Sequence, residues 1–192
     1  KYKNKIKNDI SLFLESRPTT VVAITGTNGK STVANMLFHI GKKLHKRVVL
    51  AGNIGHPVLD QSIDLQKDTV ILELSSFQLT SIANMKSHTA IILNCTNDHL
   101  DYHLTMDKYQ QAKMNIFTHC HAPVLMRQQA QLQPKTIPQT TLWISQDKHQ
   151  NNDLKFIHKN NRSYLNYQEK EYALHNIPVH GQHQHLNAIS AI

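Results

Sequence analysis

The stretch VVAITGTNGKSTVANML, Val21 to Leu37, constrains the fold more than any other part of the chain. An uncharged, β-branched run, TVVAIT at 20–25, stops at a glycine. Gly26, Thr27, Asn28, Gly29, Lys30, Ser31 and Thr32 follow, and Val33, Met36, Leu37, Ile40 and Leu44 then recur at helical spacing over 31–45. The pattern is buried strand, tight turn, helix. Glycines let backbone N–H groups close on an anion, and a helix N-terminus adds unpaired N–H groups and partial positive charge. Lys30 is placed to reach terminal phosphates and Ser31 to ligate Mg²⁺. The spacing departs from G-x-x-x-x-G-K-[ST], because Ile24 occupies the place of the first glycine. The plainer alternative is an ordinary strand-to-helix turn with a chance Gly-Lys pair.

Runs at 47–51 (RVVLA), 69–74 (TVILEL), 89–93 (TAIIL) and 122–126 (APVLM) read as further strands, and 105–118 (TMDKYQQAKMNIFT) reads as a helix between two of them. Strands alternating with helices predict an α/β fold, a mainly parallel P-loop-type sheet flanked by helices on both faces. Right-handed crossovers bring the strand C-terminal ends to one edge, where ligands of such sheets bind. The chemistry-bearing residues fall on that edge: Gly26, then Gly52 and Asn53, then Glu73, then Asn94 to His99. From 146 to 176 the chain is rich in Asn, Gln, His and Lys. Segments 154–158, 163–167 and 170–174 there predict a small antiparallel β-sheet near the C-terminus, attached to the main one. The Gln-rich stretch 128–139 reads as a surface helix and loop.

With 192 residues, 40% of them hydrophobic, the chain can bury one sizeable core and a small appendage. A formal charge of +8 calls for anionic partners. The cations are not gathered on one basic helix, so a nucleotide or another phosphorylated small molecule fits as well as nucleic acid. The densest group, Lys1, Lys3, Lys5 and Lys7, reads as a solvated start. Cys95 and Cys120 lack metal-type spacing and read as thiols of a reducing cytosol. No run approaches the ~18–20 apolar residues of a membrane span, and no signal peptide is visible.

GTNGKST resembles the ATP loop of the Mur ligases, the amide-forming enzymes of peptidoglycan precursor synthesis; folylpolyglutamate synthases share a related loop. GNIGHPVL (52–59) and ELSSFQL (73–79) resemble the branch of that family that adds D-glutamate to UDP-N-acetylmuramoyl-L-alanine. NCTNDHLDYH (94–103), YQQAK (109–113) and GQHQHLNAISA (181–191) fit the family at large, and the motifs stand in family order over nearly the whole chain. The resemblance implies a central ATP-binding domain over 19–192, behind a linker or leading helix at 1–18. The family's N-terminal uridine-nucleotide domain and its C-terminal domain are then expected outside this chain, and the fragment is expected to turn over little alone. It also implies a cytoplasmic, bacterial, monomeric enzyme using ATP and Mg²⁺, with UDP-N-acetylmuramoyl-L-alanine and D-glutamate as partners and neither nucleic acid nor membrane insertion. Two alternatives stand beside it: the relative adding L-lysine or diaminopimelate, which DHLDYHLTMDKY also resembles, and a P-loop module that binds nucleotide without ligating anything.

The resemblance assigns roles beside the plain reading of each side chain. The loop Gly26–Thr32 holds ATP, with Lys30 on its phosphates. Glu73 is an exposed carboxylate at a strand end or, by resemblance, a Mg²⁺ ligand together with Ser31. His99 is one histidine among 14; the resemblance makes it a ligand of a second Mg²⁺, with Asp98 and Asp101 as caps or orienting groups. Lys113, on the helix face of Tyr109, is a solvated lysine or a phosphate-facing cation; in the family this lysine is carbamylated by CO₂ and its carbamate holds metal. Lys30, His99 and Lys113 form the implied catalytic set. Asn53, Ser75, Ser76 and Gln78 are loop-packing and capping groups or contacts to the muramoyl-alanine end of the substrate. Asn187 matches an asparagine that reads adenine, while Gln184 stands where the pattern G-x-H-N-x-x-N has its first Asn. His180, His183 and His185 are alternatively a Zn²⁺ or Ni²⁺ site.

Overall fold

The computed structural model describes residues 7–16, 20–126, 141–145 and 154–192. Helix α1 (Asp9–Glu15) leads, followed by β1 (Thr20–Thr25), α2 (Lys30–Lys43), β2 (Val48–Gly52), β3 (Thr69–Glu73), α3 (Ser76–Ser81), β4 (Ser87–Ile92), α4 (Leu100–His103) and α5 (Met106–Met114). Then come β5 (Cys120–Met126), β6 (Leu142–Ser145), β7 (Leu154–Lys159), β8 (Arg162–Tyr167), β9 (Lys170–Ala173) and α6 (Gln182–Ser190). Among the described residues the strands form one sheet in the order β2-β3-β1-β4-β5-β6-β7-β8-β9. Pairing is parallel from β2 through β7 and antiparallel across β7, β8 and β9.

The central strands alternate between two cores because successive side chains point to opposite faces. Val21, Ala23, Val70, Leu72, Ala90 and Ile92 pack on one face with Ile10, Phe13 and Leu14 of α1 and Leu79 of α3. Ile24, Ile71, Ile91 and Leu93 pack on the other with Val33 and Ala34 of α2. A sheet buried on both faces is why these strands read as continuous apolar runs rather than alternating ones. The antiparallel strands have their own cluster, Leu154, Phe156 and Leu165, closed by Leu186 and Ile189 of α6. The expected meander is therefore present as a continuation of the main sheet. Asn8 starts α1 by accepting the Ser11 N–H at 2.7 Å.

The neighbour order creates the site. From β1 the chain crosses outward to β2, and from β3 it crosses back over β1 to β4. The crossovers diverge between β1 and β3, which opens a crevice at their C-terminal ends. Ile24 of β1 lies opposite Glu73, the last residue of β3. The strand β6 and the short helices α3 and α4 go beyond the elements expected from the sequence. The expectation for 128–139, and Lys1, Lys3 and Lys5, lie outside the described residues. No helix among the described residues is long and apolar enough to cross a membrane.

Candidate active site

The loop after β1 is tied to the loop after β4. The Asn28 N–H donates to Asn94 Oδ1 at 2.8 Å, and Asn94 Nδ2 donates back to the Asn28 carbonyl at 2.9 Å. The Thr27 N–H donates to the Asn94 carbonyl at 3.1 Å, and the Thr96 N–H to Thr27 Oγ1 at 3.1 Å. Four bonds between adjacent loops hold the turn rigid, so its remaining N–H groups keep a fixed direction. Gly29 takes φ +86°, and a Cβ there would stand 2.7 Å from Asn187 Oδ1. Glycine serves here twice, for the left-handed backbone and for the close approach of α6. The Lys30 ammonium folds over the turn and donates to the Gly26 and Thr27 carbonyls at 2.9 and 3.0 Å. Ser31 and Thr32 occupy the first turn of α2, with Ser31 exposed.

Beside this turn, Glu73 is buried, at 1% exposure. Its Oε1 accepts from Asn53 Nδ2 at 3.2 Å, whereas its Oε2 is buried with no hydrogen-bond partner. Of the two readings of Glu73, the edge-exposed carboxylate is excluded: β3 is central, between β1 and β2, so its end is covered from both sides. Gly52 has φ +101°, and a Cβ there would overlap the Glu73 carbonyl oxygen. The backbone of β2 thus presses on Glu73, and the Asn53 N–H caps its carbonyl at 2.8 Å. A buried carboxylate with one unsatisfied oxygen is costly unless a cation meets it. A hard divalent ion suits that oxygen.

On the far side of the turn lies Lys113, also 1% exposed. Its Nζ stands 4.6 Å from the centre of the Tyr109 ring, and the Tyr109 hydroxyl lies 3.1 Å from Thr27 Oγ1. Tyr109 therefore connects the glycine turn to the buried amine. Burial first, and then the nearby Lys30 charge, push the Lys113 pKa down to about 8. The solvated-lysine reading is excluded by that burial. Cys95, in the same region, is pushed up to about 11 by burial, with Lys113 as the opposing influence; neither it nor Cys120 is in a disulfide.

His99 has φ +51° and opens α4. Its backbone N–H donates to Asp98 Oδ1 at 2.9 Å, and its Nε2 lies 3.5 Å from Asp98 Oδ2. Asp98, rather than Asp101, is the orienting carboxylate. The His99 ring packs on Phe77 at 4.9 Å and faces Tyr109 at 6.3 Å. His103, given no role from the sequence, is buried behind it, and its Nε2 meets Ser76 Oγ at 3.0 Å. Burial, then His99 and Lys113, lower the His103 pKa.

The polar residues of ELSSFQL divide by geometry. Ser75 and Gln78 form a reciprocal cap of α3: Gln78 N–H donates to Ser75 Oγ at 3.2 Å, and Ser75 N–H to Gln78 Oε1 at 2.9 Å. Ser76 is buried against His103, and Asn53 braces Glu73. In α6, Gln184 Oε1 accepts weakly from Asn187 Nδ2 at 3.4 Å, so Gln184 acts on Asn187, whose amide faces Gly29. His185 is buried, and its pKa is lowered by desolvation and by His158, His175 and His180. Among the described residues no three His, Cys, Asp or Glu side chains are arranged to hold a metal, and His180, His183 and His185 form no such site.

The turn, Glu73, His99 with Asp98, and Lys113 thus stand along one sheet edge. The sequence placed Asn94 on this edge and Tyr109 on the helix face of Lys113 but gave neither a role. A family model described as the Mur ligase middle domain matches residues 24–192. The UDP-N-acetylmuramoylalanine–D-glutamate ligase of Idiomarina loihiensis is 43% identical over 145 residues, covering 75% of this chain and 31% of that protein. The ligase of the same name from Mannheimia succiniciproducens is 35% identical over 191 residues, covering 98% of this chain and 43% of that protein. The MurF ligase of Thermotoga maritima, solved in complex with ADP, superposes with a TM-score of 0.67 at 21% identity, covering 93% of this chain and 45% of that one. The chain spans less than half the length of each of these proteins.

Proposed function

The chain belongs to the Mur ligase family, and from that premise we propose that it is the ATP-binding part of a ligase that adds D-glutamate to UDP-N-acetylmuramoyl-L-alanine. One juxtaposition carries the reading: a rigid anion-binding turn flanked by a buried carboxylate with an unsatisfied oxygen and by a buried amine. D-Glutamate as the added amino acid is supported by the names of the two sequence relatives and by ELSSFQL. The fold is shared with a ligase of another name, so the fold alone does not select the substrate.

In the proposed reaction a carboxylate oxygen of the substrate attacks the γ-phosphorus of ATP and ADP leaves. The D-glutamate amine then attacks the acyl carbon, loses a proton, and phosphate departs as the amide forms. The turn's N–H groups and Lys30 bind and orient the phosphates, and the ammonium follows charge moving onto the leaving oxygen. Asn187, steadied by Gln184, would contact the adenine end. Glu73 and Ser31 would hold Mg²⁺ beside the phosphates, with His99 and a carbamylated Lys113 at a second ion. Bound Mg²⁺ supplies neutralisation of phosphate charge. The lowered Lys113 pKa favours the neutral amine that CO₂ requires: at pH 7.5 about a quarter of such amines are uncharged, against about 0.1% at the ordinary value.

Acyl-phosphate trapping separates this ligase from a nucleotide-binding module. The full-length protein, given ATP and UDP-N-acetylmuramoyl-L-alanine without D-glutamate, is expected to yield the alcohol on borohydride reduction. A protein that binds ATP yet gives no reduced product is a binding module and not a ligase.

A further inference from the structure

The opposite edge of the sheet carries its own cavity, of about 450 Å³, at the start of β4 and β5. That volume lies in the range of small-molecule sites, roughly 300–1,000 Å³. Lys86, Ser87, His88, His119, Cys120 and His121 line it, and among the described residues no carboxylate does. β4 and β5 are parallel, with Ser87 opposite Cys120 and Thr89 opposite Ala122, so His88 and His121 are cross-strand neighbours. Their rings lie 5.8 Å apart, tilted by 41°.

The hydrogen bond to His88 decides what this lining can bind. The Val21 N–H donates to His88 Nδ1 at 3.1 Å. A nitrogen that accepts a bond carries no proton, so the neutral ring holds its proton on Nε2. Nε2–H is a donor and cannot ligate a metal while the Val21 bond persists. Consistently, no three His, Cys, Asp or Glu among the described residues are arranged for a metal. His88 therefore offers its Nε2–H as a donor while the Val21 bond persists. Lys86 takes part in none of the ion pairs among the described residues. Ser87 is 3% exposed, and its Oγ has no hydrogen-bond partner. The lining thus supplies a cation at Lys86 and an N–H donor at His88, and none of its described residues is negatively charged.

We propose that the cavity between the starts of β4 and β5 is a second anion site, taking the phosphate group of a small phosphorylated molecule or free phosphate. It lies at the sheet edge away from the Gly26–Thr32 turn, because it sits at the starts of β4 and β5, which run parallel to β1, whereas that turn follows the end of β1. Lys86 supplies the charge, His88 Nε2–H a directed bond, and His119 and His121 further donors.

The test is a proton NMR titration of this chain at constant pH and ionic strength, reading the imidazole signals, with inorganic phosphate and uridine monophosphate as separate probes and sodium chloride as control. Saturable shifts of the His88 and His121 signals, absent with chloride, are expected. Lys86→Ser, an exposed change, should weaken binding about tenfold, the loss of one charge-assisted contact. Saturation by both probes identifies a phosphate-ester site, and saturation by inorganic phosphate alone a free-ion site; either supports the proposal. Shifts that do not saturate, that appear equally at exposed His39 and His45, or that survive Lys86→Ser unchanged overturn it. A site-resolved signal also keeps the result independent of phosphate bound at Gly26–Thr32, and hence of the ligase reading.

Discussion

Lys30→Ala in the full-length enzyme is expected to lower kcat by about 10²–10³, the loss of roughly 3–4 kcal/mol of stabilisation of developing charge. Folding should suffer far less. The side chain donates to two carbonyls of a partly exposed turn, a contribution on the order of 1 kcal/mol. Removing this cation has a second consequence, because Lys30 is one of the two influences that hold the Lys113 pKa down. The variant therefore also reduces the neutral fraction of that amine. Turnover and urea-denaturation midpoints, measured on the same preparation, check both statements. Near-normal turnover in a folded variant removes Lys30 from the chemistry.

Lys113→Met should stabilise the fold while abolishing ligase activity. Burial depresses the Lys113 pKa from 10.5 to about 8. Above the unfolded value the amine is neutral in both states and costs nothing. As pH falls through that window the unfolded chain takes up a proton that the folded chain refuses, and the cost is fully present below about 8. At neutral pH the gain from methionine is at most about 3 kcal/mol, from 1.36 kcal/mol per pK unit, and it shrinks as pH rises from 8 towards 10.5. Unfolding this chain and its variant at pH 7.5 and pH 10 reads the difference directly. A gain that stays constant with pH would point to packing and not to the charge. Lys113→Ala adds the chemical half: acetate should partly restore its activity if carbamate oxygens are what was lost, whereas rescue by small amines alone would assign Lys113 as a plain cation on phosphate.

Much of this site was legible in the sequence because its residues sit at strand ends. Gly26, Glu73 and Asn94 each close or follow an apolar run, and parallel pairing brings such positions to one edge. What stayed hidden depends on neighbour order. Asn94 ties down Asn28 only because β4 lies next to β1, a pairing 66 residues apart. Helical spacing puts Tyr109 and Lys113 on one face, but DKYQQAK is too polar for its pattern to say that this face is buried. The burial follows from Thr27, which receives the tyrosine across the sheet edge. An exposed strand end stayed open as an alternative for Glu73 because the covering of β3 by β2 comes from a crossover that local patterns do not encode. The strand β6 is four residues long, at the short limit of what alternation can mark as a strand. The Ser75–Gln78 cap follows the S-x-x-Q spacing, so its structural role was present in the letters beside the proposed substrate role.

Amino-acid selectivity of the full-length protein tests the central claim most directly. ADP release is measured with ATP, Mg²⁺ and UDP-N-acetylmuramoyl-L-alanine, varying only the amine among D-glutamate, L-glutamate, L-lysine and diaminopimelate. The account predicts ADP release and amide product with D-glutamate, and background rates with the other three. Product formation with L-lysine or diaminopimelate but not with D-glutamate would contradict it, even with the nucleotide site intact.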